Sequence, residues 1–146
     1  MARKQKYHVL IADDFAIDRL LLREAIHINA PRLKVVAEME DGNQVISYLA
    51  GEGPYADREL YPFPDLLLID LNLPRKNGLE IVEWLQTQSV ADLKVVIMAA
   101  EYEMEALSLR YGILRSEAKH FYSKSVTYDE RISSVKSLQD EMERRR

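Results

Sequence analysis

The sequence predicts an α/β domain with a doubly wound parallel sheet, and three observations lead to that prediction. Short apolar segments alternate five times with segments whose apolar residues recur at helical spacing. The apolar segments carry few polar residues, as parallel strands covered on both faces do. Acidic residues stand at the ends of two of these segments. We expect one domain over residues 1–146, with a core from about 7 to 143 and no output domain.

The predicted strands follow from the apolar segments and the predicted helices from the periodic ones. We expect strands at residues 7–12, 34–39, 65–69, 94–99 and 118–122. We expect helices at residues 15–28, 44–50, 78–88, 101–110 and 128–143. Pro31 ends the first helix, because proline disfavours helical backbone in the residue before it. Asp41-Gly42-Asn43 is typical of a turn before the second helix.

The segment from Gly51 to Pro64 contains two glycines and three prolines, which predicts a long loop. Its aromatic residues are Tyr55, Tyr61 and Phe63. We expect them to fold back and cover apolar area at the domain's own edge; docking of a partner is the alternative.

Composition excludes several classes of function. The net charge of −4 gives no electrostatic reason to expect a nucleic acid partner. The chain has no cysteine, which excludes disulfides and thiol chemistry. No apolar run approaches the roughly 18 residues that a membrane span needs. We therefore expect a cytoplasmic protein that acts neither on nucleic acid nor in a membrane.

Charged residues stand at the carboxyl ends of three predicted strands. Asp13 and Asp14 follow the first strand, Asp70 ends the third, and Lys124 follows the fifth. In an open parallel sheet, ligands bind beyond these ends. If the first and third strands are neighbours, the three carboxylates converge and raise one another's pKa unless a cation lies among them. Oxygen ligands of this kind suit Mg²⁺.

The same residues suggest phosphoryl chemistry. A carboxylate can act as a nucleophile and form an acyl phosphate. A metal ion beside the Lys124 ammonium would stabilise a transferring phosphoryl group. Asp14 could instead simply cap the first helix. Asp70 has no helix directly after it, so a carboxylate at the end of the most apolar strand needs another partner.

Three segments resemble the receiver domain of two-component response regulators. They are Ile11–Asp14, Leu68–Glu80 and Ser123–Lys124, and the second has the Asp-x-x-x-Pro and Gly-x-Glu spacing around Asp70. The resemblance extends from about residue 7 to residue 143. It implies a flavodoxin-like (βα)5 fold with strand order 2-1-3-4-5.

The resemblance also implies a role for each site residue. Asp70 matches the phosphoacceptor, and Asp13, Asp14, Asp70 and the backbone carbonyl of Asn72 match the ligands of Mg²⁺. Lys124 matches the lysine that pairs with the phosphoryl oxygens, beside positions 99 and 100. Phosphorylation by a histidine kinase is implied, with no enzymatic activity beyond the chain's own phosphorylation and dephosphorylation.

A closer resemblance concerns the partners. The Gly51–Pro64 loop and Ser125, where most receivers have proline, are similar to single-domain regulators that serve bacterial phytochrome kinases. A phytochrome-type kinase is therefore one candidate partner. The downstream protein target is unknown, and a homodimer is left open.

Two positions, 99 and 121, depart from the receiver pattern. Ala99, followed by Ala100, stands at the end of the fourth strand, where the resemblance implies a Thr or Ser hydroxyl that bonds the phosphoryl group. Phe121 occupies the place of the switch aromatic, which is often Tyr; plain core packing explains it equally well. We expect weakened coupling between phosphorylation and the switch surface. Asn72 and Glu101 match residues that flank the phosphoryl group, where they could position the hydrolytic water.

These residues bear on four candidate functions. The first is a phosphoacceptor switch, and the second is a pseudo-receiver that binds partners without phosphorylation, as Ala99 would suggest. A haloacid-dehalogenase-type phosphatase would need an acid–base Asp at position 72, where Asn cannot do that work. A flavin carrier is disfavoured because Asp13 and Asp14 would repel the flavin phosphate.

Overall fold

The computed structural model describes residues 5–90, 92–100, 102–103, 120–124 and 127–145, with only the backbone of residues 120–123. The described strands are β1 (Tyr7–Ala12), β2 (Leu33–Met39), β3 (Leu66–Asp70), β4 (Lys94–Ala99) and β5 (His120–Ser123). The helices longer than one turn are α1 (Ala16–Asn29), α2 (Gly42–Ala50), α3 (Gly78–Gln86) and α4 (Tyr128–Arg144). A short 3₁₀ turn, Gly53–Tyr55, follows α2.

The five strands form one sheet in the order β2-β1-β3-β4-β5, and every neighbouring pair is parallel. The predicted fold class and strand order are therefore confirmed. The chain adds β2 on one side of β1 and β3 on the other. The switch point consequently lies between β1 and β3, at the place where ligands bind in folds of this kind.

Alternating side chains of the central strands fill two cores, one on each face of the sheet. One face packs against α2 and α3, and its buried residues include Leu10, Leu67, Ile69, Val45, Tyr48 and Ile81. The other packs against α1 and α4, and its buried residues include Val9, Ile11, Leu68, Leu22, Ile26, Val135 and Leu138. Two covered faces explain why the strand sequences are continuous apolar runs.

The start of α1 differs from one of the sequence-based alternatives. Its N-cap residue is Phe15, whose side chain accepts no hydrogen bond from the first turn, so Asp14 is not the N-cap of this helix. Asp13 takes that role in part, because its Oδ1 accepts the Phe15 N–H at 2.9 Å. Asp14 is thereby left exposed at the sheet edge.

Other boundaries shift by a few residues. Helix α2 begins at Gly42, two residues early, because the Asp41 side chain accepts the Gln44 N–H and caps it. Helix α3 starts in a capping box and ends at Gln86. Strand β5 covers residues 120–123 and so extends one residue beyond the predicted end; residues 118–119 of the predicted strand lie outside the described part of the chain. The predicted helix at 101–110 lies outside the described residues, apart from 102–103. Among the helices described, none has the length and apolarity to cross a bilayer.

The long loop of residues 51–64 packs on the domain, as predicted. The buried Tyr48 donates its hydroxyl hydrogen to the carbonyl of Pro62 at 2.8 Å. Its ring centroid lies 5.2 Å from that of Tyr55 and 6.1 Å from that of Tyr61. Burial raises the pKa of the Tyr48 hydroxyl, although the nearby Arg58 opposes this. The loop aromatics therefore extend the core rather than form an exposed patch.

Arg58 anchors this loop to the end of α2. Its Nη1 donates to the carbonyls of Tyr48 at 2.8 Å and Tyr61 at 3.2 Å, and its Nη2 donates to that of Leu49 at 2.8 Å. The guanidinium also lies 5.6 Å from the Phe63 ring centroid. One side chain thus supplies donors to the last carbonyls of α2, where the Tyr48 carbonyl also accepts the Gly51 N–H at 3.1 Å.

We expect Arg58→Met to lower the free energy of unfolding by about 1–3 kcal/mol, because buried carbonyls lose a charged donor. Urea unfolding at equilibrium measures this change. Arg144→Met, at the exposed last turn of α4, is the matched control and should change stability far less. Equal effects of the two substitutions would contradict the anchoring role.

Candidate functional site

Asp13 is held rigidly at the end of β1. Its backbone N–H donates to the Met39 carbonyl at 3.0 Å, and Arg19 Nη1 donates to its carbonyl oxygen at 2.7 Å. Its Oδ1 is taken by the Phe15 N–H, and the residue is 1% exposed. The other carboxylate oxygen therefore has a fixed direction and is available to the site.

Asp70 occupies the equivalent place at the end of the neighbouring β3 and is 4% exposed. Its Oδ1 accepts the Asn72 N–H at 3.2 Å, which leaves Oδ2 for Lys124. A Cβ at Gly78 would lie 3.0 Å from the Asp70 carbonyl oxygen. Glycine at that position therefore lets the start of α3 pack against the end of β3.

The three predicted carboxylates do converge. Asp13, Asp14 and Asp70 each present an oxygen within 4.8 Å of the others. Asp14 is exposed, whereas the other two are buried. Hard carboxylate oxygens at this separation, with one side open to water, fit a divalent ion such as Mg²⁺ that keeps several waters.

Lys124 brings a positive charge to the same place. Its backbone N–H donates to the Ala99 carbonyl at 3.0 Å, which extends the pairing of β4 with β5. Its Nζ lies 2.9 Å from Asp13 Oδ2, 3.1 Å from Asp18 Oδ2 and 3.2 Å from Asp70 Oδ2. Asp18 was not anticipated. Its place in the first turn of the helix that directly follows the Asp13-Asp14 pair is the signal that could have found it.

Burial and charge shift two pKa values in this cluster. Burial raises the pKa of Asp70, and the Asp13 charge adds to this, whereas the Asn72 N–H and Lys124 act against it. Burial disfavours the Lys124 ammonium, but its bonds to Asp13 and Asp18 and the Asp70 charge raise the lysine pKa above its ordinary value. The lysine is therefore charged at neutral pH. Asp70 is the carboxylate of the cluster whose charged form is disfavoured by burial.

The remaining predicted residues are only partly placed. Ala99 is fully buried at the end of β4, and Ala100 donates its N–H to Glu103 Oε1 at 3.0 Å. The Asn72 side-chain amide donates to the other oxygen of Glu103. Sequence reasoning chose Glu101 for this region and missed Glu103. Glu101 and the side chain of Phe121 lie outside the described part of the chain.

The loop after β3 is fixed by the turn before α2. Gly42 donates its N–H to the Pro74 carbonyl at 3.1 Å. A Cβ at residue 42 would lie 2.0 Å from the Lys76 carbonyl oxygen, so only glycine permits this approach. Arg75 adopts φ 70° in the loop, and its Nε lies 3.4 Å from Asp41 Oδ2.

We expect Asp70→Asn to stabilise the metal-free protein at neutral pH. Because burial raises the pKa of Asp70, the folded chain binds a proton there that the unfolded chain has already released, so stability falls as pH rises through that interval. The advantage of the Asn variant should therefore grow as the pH rises from about 4, the ordinary range of a carboxyl group, and level off above the raised pKa of Asp70. Urea unfolding in chelator measures it, with exposed Asp140→Asn as control. A pH-independent advantage would contradict this account.

Comparison with known proteins agrees with this geometry. A model of the response regulator receiver domain matches residues 9–136. The chain is 29% identical over 108 residues to the nitrate/nitrite response regulator NarL of Escherichia coli, covering 74% of this chain and 45% of NarL. It is 27% identical over 106 residues to the response regulator Rcp1 of Synechocystis sp., covering 72% of this chain and 69% of Rcp1. The chain thus spans less than half the length of NarL.

Solved structures give the same result. The phosphorylated cyanobacterial phytochrome response regulator RcpA is similar with a TM-score of 0.75 and 25% identity, over 92% of each chain. A response regulator in red light signaling of R. palustris is similar with a TM-score of 0.72 and 26% identity, over 90% of each chain. The match of the family model over most of the sequence shows that this chain belongs to the response regulator receiver domain family of two-component systems.

Proposed function

We propose that this chain is a phosphoacceptor signalling protein in which Asp70 receives a phosphoryl group from a histidine kinase. The observation that carries the proposal is the contact of the Lys124 ammonium with two buried carboxylates, Asp13 and Asp70, at the switch point. A purely structural edge has no need for buried anions there, since their desolvation costs free energy. One receiver domain over residues 7–143 is part of the proposal.

Asp70 is the proposed nucleophile. Its Oδ2 would attack the phosphorus of a phosphohistidine, forming the O–P bond as the P–N bond breaks and the imidazole leaves with the bonding electrons. The Asn72 N–H holds Oδ1 and so orients the carboxylate. Lys124, already beside Oδ2, would pair with the phosphoryl oxygens as charge develops on them.

Mg²⁺ is the proposed cofactor, and the residues present fit it. Asp13, Asp14 and Asp70 would hold it, with the Asn72 carbonyl as a further oxygen ligand by resemblance to the family. When bound, the ion would neutralise negative charge on the phosphoryl oxygens. Asp13 is buried, whereas Asp14 is exposed, so the donor would approach the site from the side of Asp14.

The partners follow from the family and its relatives. Receiver domains of this kind are phosphorylated by histidine kinases, and two similar structures belong to phytochrome and red-light signalling. We therefore propose a phytochrome-type kinase as the donor. A protein target would read the phosphorylated surface by a shift between two conformations. The chain would then promote only the phosphorylation and dephosphorylation of its own aspartate.

The pseudo-receiver is the second candidate, and Ala99 favours it. This residue is fully buried at the end of β4 and has no hydroxyl to bond a phosphoryl oxygen. A hydrogen bond to a charged group contributes about 1.5–3 kcal/mol, so coupling to the switch surface would be weaker than with Thr or Ser. In this reading the acidic site would be a constitutive metal site that holds the surrounding loops.

Incubation with Mg²⁺ and acetyl phosphate should add one phosphoryl group to the wild-type protein, because Asp70 is activated within the site. Intact mass spectrometry measures the gain. Asp70→Asn and chelation of the metal should each abolish it, whereas exposed Asp140→Asn should not. No gain in mass, together with no released phosphate above the Asp70→Asn background, would favour the pseudo-receiver.

Asn72 should limit the lifetime of the aspartyl phosphate. Its backbone N–H donates to Asp70 Oδ1 and its side-chain amide donates to Glu103, so Asn72 and Glu103 could position the attacking water, a role that resemblance also gives to Glu101. We expect Asn72→Leu to lengthen the lifetime severalfold, measured as loss of phosphoprotein mass after the donor is removed. Asn43→Leu, on the exposed side of α2, is the matched control. An unchanged lifetime in Asn72→Leu would remove this role.

A further inference from the structure

Asp18 contacts the site from outside the carboxylate cluster. It lies in the first turn of α1, and its Oδ2 is 3.1 Å from Lys124 Nζ. Its side chain is 41% exposed, whereas those of Asp13 and Asp70 are 2% and 5% exposed. Asp18 is also absent from the group of carboxylates that could hold a metal among the described residues. Asp18 therefore differs from Asp13 and Asp70 in that it contacts the Lys124 ammonium but does not belong to the proposed metal ligands.

A helix-capping role does not account for this position. A carboxylate three residues after the N-cap often accepts the N–H of the cap residue. Here that N–H belongs to Phe15 and is donated to Asp13 Oδ1 at 2.9 Å. Asp18 instead directs an oxygen at Lys124, whose Nζ also lies 5.9 Å from the Phe15 ring centroid. The start of α1 thus holds the ammonium with both a carboxylate and a ring.

The number of donors makes this contact consequential. A lysine ammonium has three N–H groups, and here it meets three different carboxylates. A phosphoryl oxygen can gain a full hydrogen bond from Lys124 only if one carboxylate gives up its share. Each carboxylate beside the ammonium also repels an incoming anion, so each one weakens the net attraction of the Lys124 site for a phosphoryl group.

We propose that Asp18 competes with the phosphoryl group for Lys124 and thereby sets how strongly the pocket holds that group. The inference rests on the proposed function of Asp70. Arg131 of α4 lines the same recess as Asp18 and Lys124. This arginine offers Asp18 a second cation when the lysine turns to the phosphoryl group. Water can also replace the lysine at Asp18, because its side chain is partly exposed.

Beryllofluoride, an analogue of the phosphoryl group that binds aspartate with Mg²⁺, provides the test. Its affinity is measured by titration with the tryptophan fluorescence or amide NMR signals of the full chain. We expect Asp18→Asn to bind it about two- to fivefold more tightly than the wild type, the range typical of a partly exposed ion pair. Glu24→Gln, which removes the same charge from the exposed face of α1, should match the wild type. Asp18→Glu should return the affinity toward the wild-type value, since it restores the competing carboxylate.

The outcomes separate this inference from the function on which it rests. If the wild type binds beryllofluoride but Asp18→Asn matches Glu24→Gln or binds more weakly, the competition is refuted and the phosphoacceptor remains. If Asp18→Glu changes the affinity as much as Asp18→Asn does, the carboxylate is not the cause and the inference also fails. If the wild type shows no binding that depends on Asp70, the proposed function itself is overturned, and the role of Asp18 with it.

Discussion

A single ammonium group, that of Lys124, contacts three carboxylates at the carboxyl edge of the sheet. Two of these, from Asp13 and Asp70, are buried, and an uncompensated buried charge is costly. The two aspartates follow neighbouring strands, whereas the lysine follows β5 at the far side of β4. Lys124 can reach both aspartates only because β1, β3 and β5 end at the same edge of the sheet, with β4 between β3 and β5. The electrostatics of the site therefore depend on the register of these strands.

The central part of the site could be predicted because it depends on strand ends. In a parallel sheet, the carboxyl ends of strands meet at one edge, so Asp13, Asp14, Asp70 and Lys124 were brought together by topology alone. The contact of Asp18 depends on the rotation of α1 about its axis and on its distance from β5. Local periodicity gives the buried face of a helix but not how far a polar side chain on its flank will reach.

The predicted helix boundaries were wrong where tertiary contacts overrode the local preference of the sequence. Asp41-Gly42-Asn43 is typical of a turn, and so the prediction began α2 after it. The structure begins the helix at Gly42, because Asp41 caps it and the neighbouring loop leaves no space for a side chain. Similarly, two aspartates in succession could not show which one would serve the start of α1. The backbone direction after β1 turned Asp13 inward and left Asp14 exposed.

The contact at Gly42 makes the edge of the domain and the loop beside Asp70 a single mechanical unit. The turn after β2 has no freedom to slide past the loop of residues 71–77, because the backbones touch where a side chain would otherwise separate them. Lengthening the β2–α2 turn, or fusing a module there, would change the contact that positions the loop beside Asp70. A loop graft in this turn, although it lies away from Asp70 in sequence, would therefore have to preserve the close approach of the residue 42 backbone to the loop of residues 71–77.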